Sequence, residues 1–205
     1  MRLRSGIGAG LVAVAIVAAV AVLRTPIDLP PDMAASQPAT GPVVDARSRA
    51  LTAGFLHTTL LPPTVRFADD PNTPPGFVFR RYVDMEVNHI LARYTAAGLL
   101  VRTKDKAVLD TVTVTVWHTD GRTIRAADLA TCDPDPSCAQ RSFPDGTIAK
   151  VVRASSAASQ AELLAAYLNG TLLTITFVSP TGAGIPLDDA ALFRLAAIPG
   201  ISPTQ

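Results

Sequence analysis

The sequence predicts an α+β protein: an N-terminal transmembrane helix, a Pro-rich linker, then a small domain with an antiparallel sheet and flanking helices. Three observations predict it. Residues 6–23 form an apolar run without a charged side chain. The stretch AVLDTVTVTVWH at 107–118 alternates threonine and valine, the period of a strand with one wet face. Strand-like stretches are separated by turn residues and bracketed by two helix starts, an order typical of α+β folds.

The chain has 205 residues, room for one ordinary domain plus an anchor. The run GIGAGLVAVAIVAAVAVL follows Arg2 and Arg4 and is closed by Arg24. As a helix it would reach about 27 Å, close to the roughly 30 Å of a bilayer core. Signal peptides usually have a shorter apolar region. The segment is therefore read as an uncleaved signal anchor contacting the lipid bilayer through residues 6–23. Ala19-Val20-Ala21 offers the alternative of a cleavage site and a secreted domain. The basic flank places residues 1–5 in the cytoplasm and the rest outside. Gly6 and Gly10 form a GxxxG pair, which the composition of such helices explains equally well. Residues 24–44, with five prolines, read as an extended linker, and 45–205 as the extracytoplasmic domain.

Within the domain, Asp45 is a helix cap, with Leu51 and Phe55 on one face and Pro62-Pro63 as the stop near Leu61. Residues 69–76 read as a loop. Alternation over Phe77–Val83 predicts a strand at 77–82. Val83, Val87, Ile90, Tyr94, Ala97 and Val101 follow a 4-3-4-3-4 spacing, which predicts a helix over 83–98. The Thr/Val strand comes next, then an Asp120-Gly121 turn and a short strand near 122–125. Pro144-Asp145-Gly146 marks one hairpin. Asn169-Gly170 marks another, as a two-residue turn. Residues 160–168 favour helix by composition, whereas the following turn favours strand, and strand is taken. Asp188 caps a final helix at 189–198, with Leu187 and Leu192 at staple positions.

Composition excludes some functions. The net charge is +1 and the pI about 7.8, unlike the basic face of a nucleic-acid binder. Residues 45–205 hold 15 basic and 15 acidic side chains, so the domain itself is neutral. Cys132 and Cys138 flank DPDPS. Outside the membrane that spacing reads as a disulfide closing a short loop, not as a CxxC redox pair or a zinc site. Asp133 and Asp135 lack the remaining ligands of a calcium loop and read as turn residues. The histidines, His57, His89 and His118, fall in three different elements. His118 with Asp120 is the one candidate acid–base pair, with Ser137 or Ser142 as conceivable nucleophiles, but no GxSxG, HExxH or Walker sequence is present. Glutamate occurs in the domain only as Glu86 and Glu162, so a glycosidase pair would fall on aspartates such as Asp69-Asp70 or Asp188-Asp189. Those pairs fit loop and cap roles better. Asn169-Gly170-Thr171 matches a glycosylation sequon but reads first as a turn. Trp117 beside His118, with Tyr82 and Tyr94, would line a groove if these side chains converge.

Several short motifs resemble a family of uncharacterised membrane-anchored or secreted extracytoplasmic proteins of actinobacteria. They are LLPP at 60–63, C-x-x-R-x-x-PDGT from Cys138 to Thr147, NGTLLTITFV at 169–178 and PLDDAALFRLAAIPG at 186–200. The resemblance covers mainly 45–205 and implies location and fold class. It carries no catalytic residues. The sequence thus predicts a non-catalytic binding or envelope-interaction domain with no cofactor, no metal and no catalytic residues. The expected partner is a membrane or cell-envelope component. A hydrolase using His118 and Asp120 is the alternative.

Overall fold

Asp45 starts the first helix as its sequence position predicts: its Oδ1 accepts the Ser48 amide at 2.7 Å. The structure, a computed structural model, describes residues 42–68, 76–82, 90–119, 130–132, 137–155, 159–179 and 184–201. Helix α1 spans Ala46–Leu56 and ends at His57, before the expected Leu61. Thr59, Leu60 and Leu61, just before Pro62, form bends. Leu51 and Phe55 are fully buried.

Among the described residues eight strands form one antiparallel sheet: β1 (Val65–Ala68), β2 (Arg80–Tyr82), β3 (Ile90–Arg102), β4 (Val108–Thr119), β5 (Cys138–Ser142), β6 (Ile148–Ser155), β7 (Ser159–Ala166) and β8 (Thr171–Ser179). The order is β1-β3-β4-β8-β7-β6-β5, with β2 also pairing β3. Helix α2 (Asp189–Arg194) and a 3₁₀ turn (Leu195–Ala197) close the described chain. Asp188 caps α2 through the Ala191 amide at 2.7 Å. Among the described residues no helix is long and apolar enough to cross a membrane, and the predicted span 6–23 lies outside them.

The Thr/Val strand behaves as its pattern requires. Val112, Val114 and Val116 are buried opposite Phe177, Ile175 and Leu173 of β8, while Thr111 and Thr113 are exposed on the other face. Both helices pack on the valine face, in one core with Leu163 of β7 and Val151 of β6. Five phenylalanines fill its centre: Phe55 lies 5.5 Å from Phe67, 6.0 Å from Phe77 and 5.3 Å from Phe79, and Phe67 stacks on Phe177 at 6.4 Å. Gly98 of β3 is needed for that fit, because a Cβ there would stand 2.4 Å from Phe77 Cδ2 and 2.8 Å from the Ala68 carbonyl oxygen.

The helix expected over 83–98 is replaced by strand from Ile90 onward. Residues 90–98 belong to β3, and 83–89 lie outside the described residues. The 4-3-4 stripe mixed both faces of a strand. The burial period is two, with Ala92, Tyr94 and Ala96 buried between less buried neighbours. The strand expected at 77–82 shortens to Arg80–Tyr82, and Phe77 and Phe79 plug the core ahead of it. Residues 160–168 are strand up to Ala166, as taken. Strand β1 carried no distinct sequence signal.

Both expected hairpins form, but each loop has three central residues. Phe143 and Thr147 enclose Pro144-Asp145-Gly146; Tyr167 and Thr171 enclose Leu168-Asn169-Gly170. Gly146 and Gly170 both have φ +80, the left-handed residue of a type I turn with a G1 bulge. Asn169 Oδ1 accepts the Thr171 amide at 3.1 Å, which pulls Leu168 into the loop and replaces the expected two-residue turn. The final helix is α-helical only to Arg194. The loop 69–75 and the turn and strand expected over 120–125 lie outside the described residues.

Candidate functional site

The hairpin after β7, the N-terminus of α1 and the end of β2 meet at one end of the sheet, around Tyr94. Tyr94 lies on the core face of β3, opposite Val116. Its hydroxyl donates to Asp45 Oδ2 at 3.2 Å, the carboxylate that caps α1. Arg81 Nη1 lies 3.8 Å from the same oxygen. Arg47, from the first turn of α1, lies over the Tyr94 ring at 5.5 Å and donates through Nη2 to the Ile201 carbonyl at 2.7 Å. His118 stands edge-on to Tyr94, with ring centroids 6.0 Å apart. Its Nδ1 is 3.2 Å from the Thr171 hydroxyl.

Three buried atoms here have no hydrogen-bond partner: Arg47 Nε, Arg81 Nε and His118 Nε2. Burial, then the charges of Arg47 and Arg81, push the His118 imidazolium down to about 4, so the ring is neutral at pH 7. Burial raises the Asp45 carboxyl, but the Ser48 amide and hydroxyl, the Tyr94 hydroxyl and Arg81 outweigh it and hold it below its ordinary value. Burial also lowers Arg47 and raises Tyr94, the latter reinforced by the Asp45 charge. Two cations, one carboxylate and one neutral imidazole are thus collected at one end of the core face.

The sequence marked two members of this cluster, His118 as an acid–base candidate and Tyr94 as a groove residue. The observed partner of His118 is Thr171, and Asp120 lies outside the described residues. Ser142 sits on edge strand β5, four strands away from β4, and Ser137 precedes that strand. Neither approaches His118. The groove expected from Trp117, Tyr82 and Tyr94 does not form, because a strand's side chains alternate. Trp117 and Tyr82 lie on the opposite face of the sheet, where they flank the Arg93 guanidinium at 5.3 and 4.9 Å and Trp117 packs against buried Ala130, Leu164, Ala166 and Leu172, while Tyr94 and His118 lie on the main core face. Arg47, Arg81 and Asp45 carried no site signal. On a helix start and a strand they read as solvated charge or cap.

The remaining candidates that fall among the described residues lie apart from this cluster. Cys132 and Cys138 form a disulfide, with Cα atoms 5.8 Å apart, and Cys132 N donates to Gln140 Oε1. His57 ends α1, and His89, Asp69-Asp70, Asp133 and Asp135 lie outside the described residues. An open depression of about 450 Å³ is bordered by Arg153 and Ile185–Asp189. Its arginine is already committed, with Nε 2.7 Å from Asp189 and Nη2 2.6 Å from the Leu187 carbonyl, and so ties the segment before α2 to β6. Among the described residues no three His, Cys, Asp or Glu side chains converge as metal ligands. At the far end of the sheet, Asp110 is fully buried and neither oxygen has a partner at hydrogen-bonding geometry. Burial pushes it up to about 6, opposed by the nearby Ser179 hydroxyl.

Comparison with protein families, with curated proteins and with solved structures found no match.

Proposed function

We propose that this chain is a single-pass, membrane-anchored extracytoplasmic binding module whose site is the cluster around Tyr94. One observation carries the reading: three polar atoms of Arg47, Arg81 and His118 are buried without partners in one neighbourhood. Unsatisfied buried polar groups cost roughly 1–3 kcal/mol each, and a ligand that satisfies them recovers that cost. The apolar run at 6–23 supports an anchor, and Arg2 and Arg4 support a cytoplasmic residue 1–5 segment. The prolines of 24–44 support a spacer. The Cys132–Cys138 disulfide fits an oxidising compartment for the 45–205 domain. The partner in this reading is a membrane or cell-envelope component, and the role needs no catalysis.

Proximity labelling from a C-terminal tag in the native membrane tests it. The expected result is a defined set of envelope partners. That set persists in an Asp120→Ala variant and is lost when Arg47 and Arg81 are both replaced by Met. A phenotype or partner set that depends on His118 and Asp120 but not on the arginines would favour the hydrolase. Fractionation of the same tagged cells tests the anchor. A product in the medium about 2 kDa shorter than the full chain, from cleavage after Ala21, contradicts it.

A further inference from the structure

The charges around Tyr94 define what the site can hold, given that the cluster is the binding site proposed above. Arg47 and Arg81 bring two guanidiniums; Asp45 brings the one carboxylate, and its 3.8 Å contact with Arg81 is loose. Arg47 has no carboxylate within ion-pair distance among the described residues, although it is half-buried between Tyr94 and the Ile201 carbonyl. The unpartnered Nε atoms of both arginines are donors. When His118 Nδ1 accepts from Thr171, the ring proton sits on Nε2, which is also buried without an acceptor. The N-terminus of the eleven-residue helix α1 opens at the same place and adds the positive end of its dipole. Donors and positive charge therefore exceed acceptors and negative charge, in surroundings where an unpaired charge is costly.

We infer that the cluster binds an oxyanion, the carboxylate or phosphate group of the ligand, with Arg47 and Arg81 as charge partners and His118 as a hydrogen-bond donor. A single negative charge brings the four groups to formal neutrality. The anion enters past Arg81, whose side chain is 40% exposed.

Calorimetry on the full chain in detergent tests this with sodium phosphate, sodium acetate and sodium chloride at matched ionic strength. The expected result is saturable binding of phosphate, acetate or both, and none of chloride. Phosphate alone identifies a phosphate-bearing ligand, and acetate binding a carboxylate. Arg81→Gln is expected to weaken binding at least tenfold, Arg47→Met likewise, and exposed Arg49→Gln to leave it unchanged. If Arg47→Met does not fold, the more exposed Arg81→Gln decides. No saturable binding of either oxyanion, or equal binding by wild type and Arg81→Gln, overturns the inference. A null titration with envelope labelling retained overturns the oxyanion alone. Loss of the labelling overturns the binding module itself.

Discussion

The Tyr94 hydroxyl donates to the outer oxygen of the carboxylate whose inner oxygen caps helix α1, at 3.2 and 2.7 Å. Asp45 thereby joins the helix start to the middle of β3. Each contact should depend on the other. A double-mutant cycle of Tyr94→Phe and Asp45→Ala is expected to give a coupling of about 1 kcal/mol in urea unfolding. Asp45→Ala alone should cost about 1–2 kcal/mol, because it also removes the cap.

His118 sets a pH dependence with a definite sign. Its folded value of about 4 lies below the ordinary 6.5, so the unfolded chain takes up a proton first as the pH falls. Stability from this residue is whole above about pH 6.5 and is lost on acidification toward pH 4. His118→Asn keeps a polar atom near Thr171 but does not titrate. At pH 5 the wild type should have lost about 2 kcal/mol, relative to its own value at pH 7, that the variant does not lose. Urea unfolding at the two pH values measures the difference.

Asp110 acts in the same pH window with the opposite slope. Burial lifts its folded value to about 6, above the ordinary 3.8. The native acid keeps a proton that the unfolded chain has released, so stability falls as the pH rises from about 3.8 and levels off above 6. Asp110→Asn should remove that fall, for a relative gain on the order of 2 kcal/mol between pH 4 and pH 7. Thermal and urea unfolding across that range would show it. With Asp110 neutralised, the acid-side loss due to His118 should stand out.

Gly98→Ala should be among the more damaging single-methyl changes. The added Cβ would meet both the Phe77 ring and the Ala68 backbone oxygen. The ring cannot yield freely, because it is packed 6.0 Å from Phe55, 5.7 Å from Phe67 and 5.8 Å from Phe79. Overpacking of this kind costs about 1–3 kcal/mol. The urea midpoint should fall without a change in slope.

Local chemistry was legible wherever it acts over a few residues. The caps at Asp45 and Asp188, the threonine–valine alternation of β4, the turn glycines and the Cys132–Cys138 spacing all found their expected places. Elements decided by tertiary pairing were not legible. The 90–98 segment offers alanine, leucine and a plausible helical stripe, and only pairing with β4 on one side and β2 on the other makes it a strand. The site was hidden for a similar reason. Arg47, Arg81, Tyr94 and His118 come from four elements, and no sequence spacing links them. Trp117 and His118 looked like one groove because they are adjacent, yet adjacency in a strand puts them on opposite faces.

The most direct test of the site is to watch the His118 ring while an oxyanion is added. NMR of the full chain in detergent, with labelled histidine, gives separate imidazole signals for the three histidines. Phosphate or acetate titrated at constant pH and ionic strength should move the His118 signals saturably, with His57 far less affected, and the movement should vanish in Arg81→Gln. His118 signals that stay fixed through the titration, or that move equally in Arg81→Gln, would contradict a binding site around Tyr94.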